Sequence, residues 1–520
     1  MKKFHVRPLV GIALIFIFLV TVALVIAAFL LQKPWLLLPA FGLGVTLLLL
    51  HDFFQPKHSL LRNFPVVGRS RYLMERLRAP LRQYFFESDL NGKPFNRRQR
   101  SIIYQRSKNV RETVAFGMQA DPYEPGYEWV THSIYPVKTD PANLRITIGS
   151  SQCQQPYSLS ILNIGAMSYG ALSKTAIRSL SEGAHMADFA MNTGEGGISP
   201  YHISGGADLI WQIGTGYFGC RNLEGAFDPE LFRRNATRPY VKMIEVKLSQ
   251  GAKPGHGGLL PAVKNTPDIA AIRHVIPGTT VHSPNAHSAF KNSTEMVLFL
   301  SQLRALSGGK PVGFKLCIGN MEEFEEICKT MANLRIYVDF ISVDGAEGGT
   351  GAAPLEFTDY VGMPLFDAVA FARKTIDHYG LPTRIIASGK IVTAFDILRV
   401  IALGASACYS ARGMMMSLGC IQALQCDSGT CPVGIATQDR RLYRGIDIAD
   451  KRVRVCNFHQ NTLKAVADLM EACGFRSLTD VTADNFHRRI TRSKTMSLKE
   501  IYFNDRSGLK DQNEMLSYLN

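Results

Sequence analysis

The sequence predicts an α/β protein: a (β/α)8 barrel of the TIM type, preceded by an N-terminal transmembrane helical hairpin. Three observations predict it. Eight short β-rich runs alternate with helix-like stretches between residues 158 and 412. Many of these runs end in Gly, Ser or Asn, the residue types that shape a ligand-binding rim at strand ends. The first fifty residues hold two apolar stretches separated by a Gln-Lys-Pro break.

The N-terminal element comes first. Residues 8–31 carry no charge. Twenty-four residues rising about 1.5 Å each span roughly 36 Å, more than the roughly 30 Å hydrocarbon core of a bilayer. Gln32-Lys33-Pro34 ends that run, and residues 35–50 form a second, shorter span with Trp35 at an interface. A secretory signal would have an apolar region of about 7–15 residues and a small-residue cleavage site, and neither fits. Lys2, Lys3 and Arg7 precede the first span, and only Lys33 lies between the two. A basic run follows the second: Lys57, Arg62, Arg69, Arg71, Arg76, Arg78 and Arg82, then Arg97, Arg98 and Arg100. The positive-inside tendency puts both ends in the cytoplasm. The expected location is therefore the inner (cytoplasmic) membrane, with the catalytic domain in the cytoplasm.

The net charge is +15 over 520 residues. Charge alone suits nucleic acid, anionic lipid or acidic metabolites. No zinc-finger, RNA-recognition or helix-turn-helix pattern supports nucleic acid, so none is expected as a partner. Ten cysteines in a chain this long do not make a secreted disulfide scaffold.

The barrel strands are expected at 158–165, 189–193, 207–214, 243–249, 312–319, 337–345, 384–389 and 405–412, with a long insertion between residues 249 and 312. The domain plan is a hairpin over 1–52, a basic segment over 53–150 packing on the barrel, the barrel over 151–440, and a helical extension over 441–520.

Ligands of this fold sit at the C-terminal strand ends. There the first run offers Ala166, Met167 and Ser168, in a stretch from Gly165 to Gly170 whose small residues let a flat ring approach backbone. The second offers Asn192 and Glu195 in a Gly-rich loop. The fourth offers Lys247 and Gln250, and the fifth Lys315. The sixth offers Asp344, Gly345, Gly348, Gly349 and Thr350. The seventh and eighth offer Gly389, Lys390, Ser410, Arg412 and Gly413, where backbone N–H groups and a cation make a phosphate cradle. Together they suggest a large planar cofactor with a phosphate. A lysine such as Lys247 or Lys315 near a flavin would stabilise the reduced ring. Gly214-Thr215-Gly216-Tyr217-Phe218-Gly219 matches a dinucleotide fingerprint, but no helix opens there and no acidic residue follows at the required distance. NAD(P)H binding by that loop is not expected.

Cys420, Cys426 and Cys431 fall within twelve residues of one another and end in Cys-Pro. By spacing, three thiolates can hold iron in a loop. Unliganded thiols are the alternative, as is zinc with a fourth ligand from distant Cys456 or His459. Three ligands rather than four point to a three-iron cluster, in an iron–sulfur loop over 418–433.

These stretches resemble the FMN-binding synthase domain of the glutamate synthase family: 163–173, 192–197, 244–258, 344–354 and 418–438 carry the likeness. The short membrane-anchored form without a glutaminase domain is the nearest pattern. The resemblance implies FMN in the barrel and a 3Fe-4S cluster on Cys420, Cys426 and Cys431. It implies electrons passing from cluster to FMN, which reduces the imine of 2-oxoglutarate and ammonia to glutamate. Lys253 and Arg273 match the positions that hold the 2-oxoglutarate carboxylates, and Glu195 a glutamate beside substrate and flavin. The implied electron donor is ferredoxin or an NAD(P)H-oxidising subunit. The sequence departs from the family at Leu259, where a Gln is usual, at His256, where a Glu is usual, and at Lys390, where a Gly is usual. The alternatives are another oxo or amino acid as substrate, or a membrane-bound electron-transfer subunit without amination activity.

Overall fold

The computed structural model describes residues 6–504 apart from Arg111, with backbone only for residues 6–15. Lys2 and Lys3, part of the orientation argument, lie outside the described residues, as does the end of the extension from residue 505. The chain divides into two compact units, Met1–Gly92 and Lys93–Asn520. The boundary falls inside the basic segment 53–150.

In the first unit, α1 (Val6–Leu30) and α2 (Leu37–Phe54) pack against each other. The reversal between them uses Gln32 in the left-handed region (φ 51°) and a 3-10 turn opened by Pro34, which cannot continue a helix. Pro34–Phe54, 21 residues at mean hydropathy 1.8, is long and apolar enough to cross a membrane. The part of the first helix with described side chains, Phe16–Leu30, is shorter. Its apolar side chains point outward, Phe29 being 88% exposed. A short helix, Ser59–Asn63, leads into α3 (Arg69–Leu81).

The second unit holds eight parallel strands closed into a barrel. They are β1 (Leu162–Ile164), β2 (Met191–Asn192), β3 (Leu209–Ile213), β4 (Val241–Lys247), β5 (Val312–Leu316), β6 (Phe340–Asp344), β7 (Arg384–Ser388) and β8 (Ala407–Ser410). Each pairs with the next, and β8 closes on β1 with Cys408 beside Leu162. All eight lie within or across the expected runs. The first run also contains an antiparallel partner: Tyr157–Ser160 pairs with Arg145–Ile148. Ile148 and Leu159 of that hairpin lie in one buried cluster with Ala190, Ile210, Met243 and Ala407, so the hairpin stoppers the barrel's N-terminal end.

The barrel interior is partly polar. Glu245 on β4 is fully buried and accepts hydrogen bonds from Asn192 (2.7 Å), Gln212 (2.6 Å), Ser342 (2.5 Å) and Tyr409 (3.3 Å). Four donors from four strands satisfy a carboxylate that would otherwise be costly to bury.

Outside the barrel, α4 (Arg97–Ser107) and α6 (Ile448–Cys473) pack together. The insertion after β4 forms a two-stranded ribbon, Leu259–Leu260 with Val281–His282, and α5 (Pro267–Arg273) between them. The extension past residue 440 is not helical throughout. Beyond α6 it adds strands Phe486–Arg489 and Thr495–Ser497 to Glu128–Val130. The stacking of His487 on Trp129 at 5.4 Å supplies a long-range partner that local sequence does not reveal.

Candidate active site

The bend after β2 is built by Asn192, whose Oδ1 accepts the Gly194 N–H at 3.0 Å. It delivers Glu195 to the rim between two glycines. A Cβ at Gly214 would lie 2.8 Å from Glu195 Oε2, and one at Gly258 2.7 Å from Oε1. Any larger residue at either position would displace the carboxylate. Asn192 itself is occupied with Glu245 and this bend, so its role is to hold the loop.

Three cations gather around Glu195. Lys247 Nζ lies 3.1 Å from its Oε2 and donates to Gln250 Oε1 at 2.8 Å. Arg273 ends α5, is 5% exposed, and donates to the Tyr169 carbonyl at 3.2 Å. Its guanidinium carbon sits 5.0 Å from the centre of the Phe218 ring, and its buried Nε has no hydrogen-bond partner among the described residues. Lys253 is also buried. Burial pushes Arg273 down to about 10 and lowers Lys253, while the Glu195 charge supports both cations. For Glu195, burial works upward, but Lys247, Arg273 and Lys253 outweigh it and hold the carboxyl below its usual range. Three cations facing one carboxylate leave two positive charges uncompensated in a site largely shielded from water. A dicarboxylate matches that charge, and an arginine fork matches a carboxylate's geometry.

Beside this cluster, Lys315 Nζ lies 3.3 Å from Asp344 Oδ2, which also accepts the Gly251 N–H at 2.8 Å. Gln250 reaches Thr350 Oγ1 at 3.4 Å. A Cβ at Gly251 would fall 2.1 Å from the Gly345 carbonyl oxygen, so only glycine lets the loops after β4 and β6 touch. The loop after β1 rests on the loop after β2: Met167 N–H donates to the Asn192 carbonyl at 3.4 Å. Met167 and Ser168 are buried there, and Ala166 is half-buried.

The phosphate candidates converge. Gly348, Gly349, Gly389, Lys390, Ser410, Arg412 and Gly413 line one pocket, together with Phe95. Arg412 donates to the Glu347 carbonyl at 2.7 Å, and its guanidinium carbon lies 4.9 Å from the Phe95 ring centre. Burial pushes Arg412 down to about 10, and burial with Arg412 nearby lowers Lys390. Two cations disfavoured by burial, among glycine backbone N–H groups, fit an anionic phosphate. Ser410 Oγ is turned away, donating to the Ile391 carbonyl at 2.7 Å.

No cysteine is in a disulfide. Among the described residues, no group of three or more His, Cys, Asp and Glu side chains is arranged to hold a metal ion. The three candidate thiols nevertheless feel one another. Burial pushes Cys420 up to about 11, with Cys426 and Cys431 adding to it. Burial and Cys431 raise Cys426, and Lys264 opposes them. His459 does not join the cysteines. It bonds Ser160 Oγ at 3.0 Å and the Leu162 carbonyl at 3.1 Å, and stacks on Phe189 at 3.9 Å.

The cysteine loop is tied to the rim. Ser173 N–H donates to the Ile435 carbonyl at 2.8 Å, and Gln438 Nε2 to those of Gly170 and Leu172 at 3.2 and 2.9 Å. Lys264, from the turn before α5, donates to the Cys426 carbonyl at 2.6 Å, and Tyr104 to that of Cys420 at 2.6 Å. Sequence reasoning missed Phe95, Tyr104, Phe218 and Lys264. The segment holding Phe95 and Tyr104 showed no chemistry of its own, and Phe218 lay in the rejected dinucleotide match. That loop is indeed irregular, with Thr215 donating to the Pro284 carbonyl at 2.6 Å. His287 supports the site from behind by bonding the Lys247 carbonyl at 2.9 Å.

Comparison with known proteins follows the same residues. The family described as the conserved region in glutamate synthase matches residues 117–476. The glutamate synthase large subunit-like protein YerD of Bacillus subtilis is 38% identical over 469 residues, covering 82% of this chain and 89% of that protein. The archaeal glutamate synthase (NADPH) of Methanocaldococcus jannaschii is 32% identical, over 69% of this chain and 66% of its own. The archaeal-type enzyme of Thermotoga maritima is 31% identical, and the chain spans only 59% of its length. A mandelate oxidase structure covers 82% of this chain and 98% of its own, at 14% identity and a TM-score of 0.44, too distant to bear on chemistry. With the rim charges, the cysteine loop and all of the phosphate pocket except Phe95 inside the matched region, the chain belongs to the glutamate synthase family of oxidoreductases.

Proposed function

We propose that the protein is an FMN- and iron–sulfur-dependent oxidoreductase that forms glutamate from 2-oxoglutarate and ammonia. One observation carries the reading: Lys247, Lys253 and Arg273 converge on Glu195 and leave a doubly positive, mostly buried site. A site of that charge recruits a dianion and is poorly suited to a neutral or cationic substrate.

Gly348, Gly349, Gly389, Lys390, Arg412 and Gly413 would hold the FMN phosphate, with the loop 166–168 and Lys315 toward its ring. Cys420, Cys426 and Cys431 would hold a 3Fe-4S cluster. When bound, FMN supplies hydride and the cluster supplies electrons one at a time. The chain's own residues do the rest. Arg273 and Lys253 bind the two substrate carboxylates. Glu195, kept ionised by its three cationic neighbours, stabilises the protonated imine nitrogen, the form that accepts hydride most readily. Lys247 keeps Glu195 in that state, and Gln250 positions Lys247. Closely packed glycines at 214, 251 and 258 limit water between the loops.

The same reading puts the hairpin in the inner membrane with the barrel in the cytoplasm, supported by the apolar helix Pro34–Phe54 and the basic residues after it. The electron donor is then a ferredoxin or an NAD(P)H-oxidising subunit, for which an acidic protein would complement the chain's +15 charge. A second reading keeps both cofactors but takes a different oxo acid. It is favoured by Leu259, which is 42% exposed and presents an apolar side chain in the insertion.

The test is an absorption spectrum and iron analysis of detergent-purified protein. Flavin bands with about three irons per chain, the content of a three-thiolate cluster, are expected. Protein free of flavin when purified from cells supplied with riboflavin would overturn the cofactor assignment.

A further inference from the structure

The first unit contains a feature that the catalytic reading does not use. At about 100° per residue, α3 places Leu73, Met74, Leu77 and Leu81 on one face. Arg76 edges that face on one side, and Arg71 and Arg78 edge it on the other. No residue of α3 is buried; Leu73, Met74 and Leu77 are 52%, 53% and 40% exposed. Exposed apolar side chains also flank the helix in sequence on both sides, Val67 (73%) and Phe85 (77%).

The helix is also held in place from its other side. Asp52, fully buried in the last turn of α2, accepts from Arg69 Nη2 at 2.5 Å, Arg69 Nε at 2.8 Å and Val66 N–H at 3.0 Å. Tyr72, opposite the apolar face, packs on His58 with ring centres 5.3 Å apart. The start of α3 is therefore pinned within one turn of the end of the apolar helix, with its apolar face turned outward.

We infer that α3 is an interfacial helix lying in the headgroup layer of an anionic membrane. The inference rests on the membrane placement proposed above. An apolar stripe bordered by arginines on both sides matches a surface that offers acyl chains below and phosphates alongside. An acidic protein could answer the arginines, but the Asp52–Arg69 clamp sets this stripe beside the end of the apolar helix, where anionic lipid offers acyl chains and phosphates together. The Asp52–Arg69 clamp fixes the depth, because it ties α3 to the point where the apolar helix leaves the hydrocarbon.

The test uses the full-length chain in vesicles containing brominated lipid, comparing wild type with Leu77→Trp. The wild type carries three tryptophans, Trp35 in the first unit and Trp129 and Trp211 in the second. Comparison with Trp35→Phe isolates the Trp35 signal, which reports whether the hairpin is inserted, and the difference between wild type and Leu77→Trp isolates the new indole. In phosphatidylglycerol-containing vesicles the introduced indole should lose roughly half its emission, and clearly less in pure phosphatidylcholine. Trp35 quenched with the new indole unquenched would overturn the inference and leave the membrane reading standing. Equal quenching in both lipids would overturn the role of anionic charge. If neither indole were quenched, the membrane placement itself would fail, and this inference with it.

Discussion

Replacing Arg273 with alanine isolates the substrate claim. Among the described residues Arg273 makes one hydrogen bond, to the Tyr169 carbonyl at 3.2 Å, and its Nε has no partner. Its guanidinium is disfavoured by burial, which offsets part of what the fold loses when it goes; the desolvated contact with Phe218 is worth about 2 kcal/mol. A dicarboxylate, by contrast, would lose its charge-assisted contacts. Hydrogen bonds to charged groups are worth about 1.5–3 kcal/mol, and 1.36 kcal/mol is a factor of ten, so 2-oxoglutarate should bind roughly 10- to 150-fold more weakly. Arg273→Lys should recover part of this, because it keeps the charge and loses the fork. The assay is calorimetric titration of 2-oxoglutarate into the flavin-loaded protein, with flavin content measured on the same sample. Unchanged affinity in Arg273→Ala, or loss of flavin, would refute the placement of this residue.

Glu195→Gln should abolish turnover yet tighten dicarboxylate binding, because it removes the one negative charge among the three cations; weaker binding would show that Glu195 does not face them. Cys426→Ser should lose the iron while retaining flavin, read by iron analysis beside the absorption spectrum, and full iron retention would exclude it as a ligand. Acid stability should follow three buried histidines, His202 and His287, pushed down to about 4 chiefly by burial, and His459, pushed to about 3 for the same reason. Folded values below the unfolded value near 6.5 mean that their contribution is complete above pH 6.5 and is lost as pH falls toward 4. Between pH 7.5 and 5.5 the loss should be about 4 kcal/mol for the three together, seen as a falling urea midpoint, and a flat profile would contradict it.

The barrel was legible because its strands are short apolar runs bounded by Gly, Ser and Asn, and burial on both faces leaves few alternatives for such runs. The rim was legible for a related reason: Gly-rich loops such as 192–197 and 344–351 exist to let chains approach closely. Lys253 was readable as a second lysine in the Gly-rich loop after β4, but its carboxylate role, and Arg273 altogether, came only through the family resemblance; for Arg273 the fold shows why, since α5 lies in an insertion more than seventy residues beyond Glu195. Glu245 went unnoticed because its four partners come from four different strands. Phe95 went unnoticed for the same physical reason: its partners, Arg412 and Gln422, lie more than three hundred residues away. The strands after residue 486 depend on a partner at 128–130, which no local pattern announces.

The most direct measurement is a single anaerobic mixing experiment. Detergent-purified protein carrying its flavin is reduced, then mixed with 2-oxoglutarate and ammonium while visible absorbance is recorded and glutamate is assayed. Oxidised flavin absorbance should return and glutamate appear in equal amount, with neither occurring when one reactant is left out. Flavin that stays reduced, with no glutamate formed, would rule out the proposed reaction.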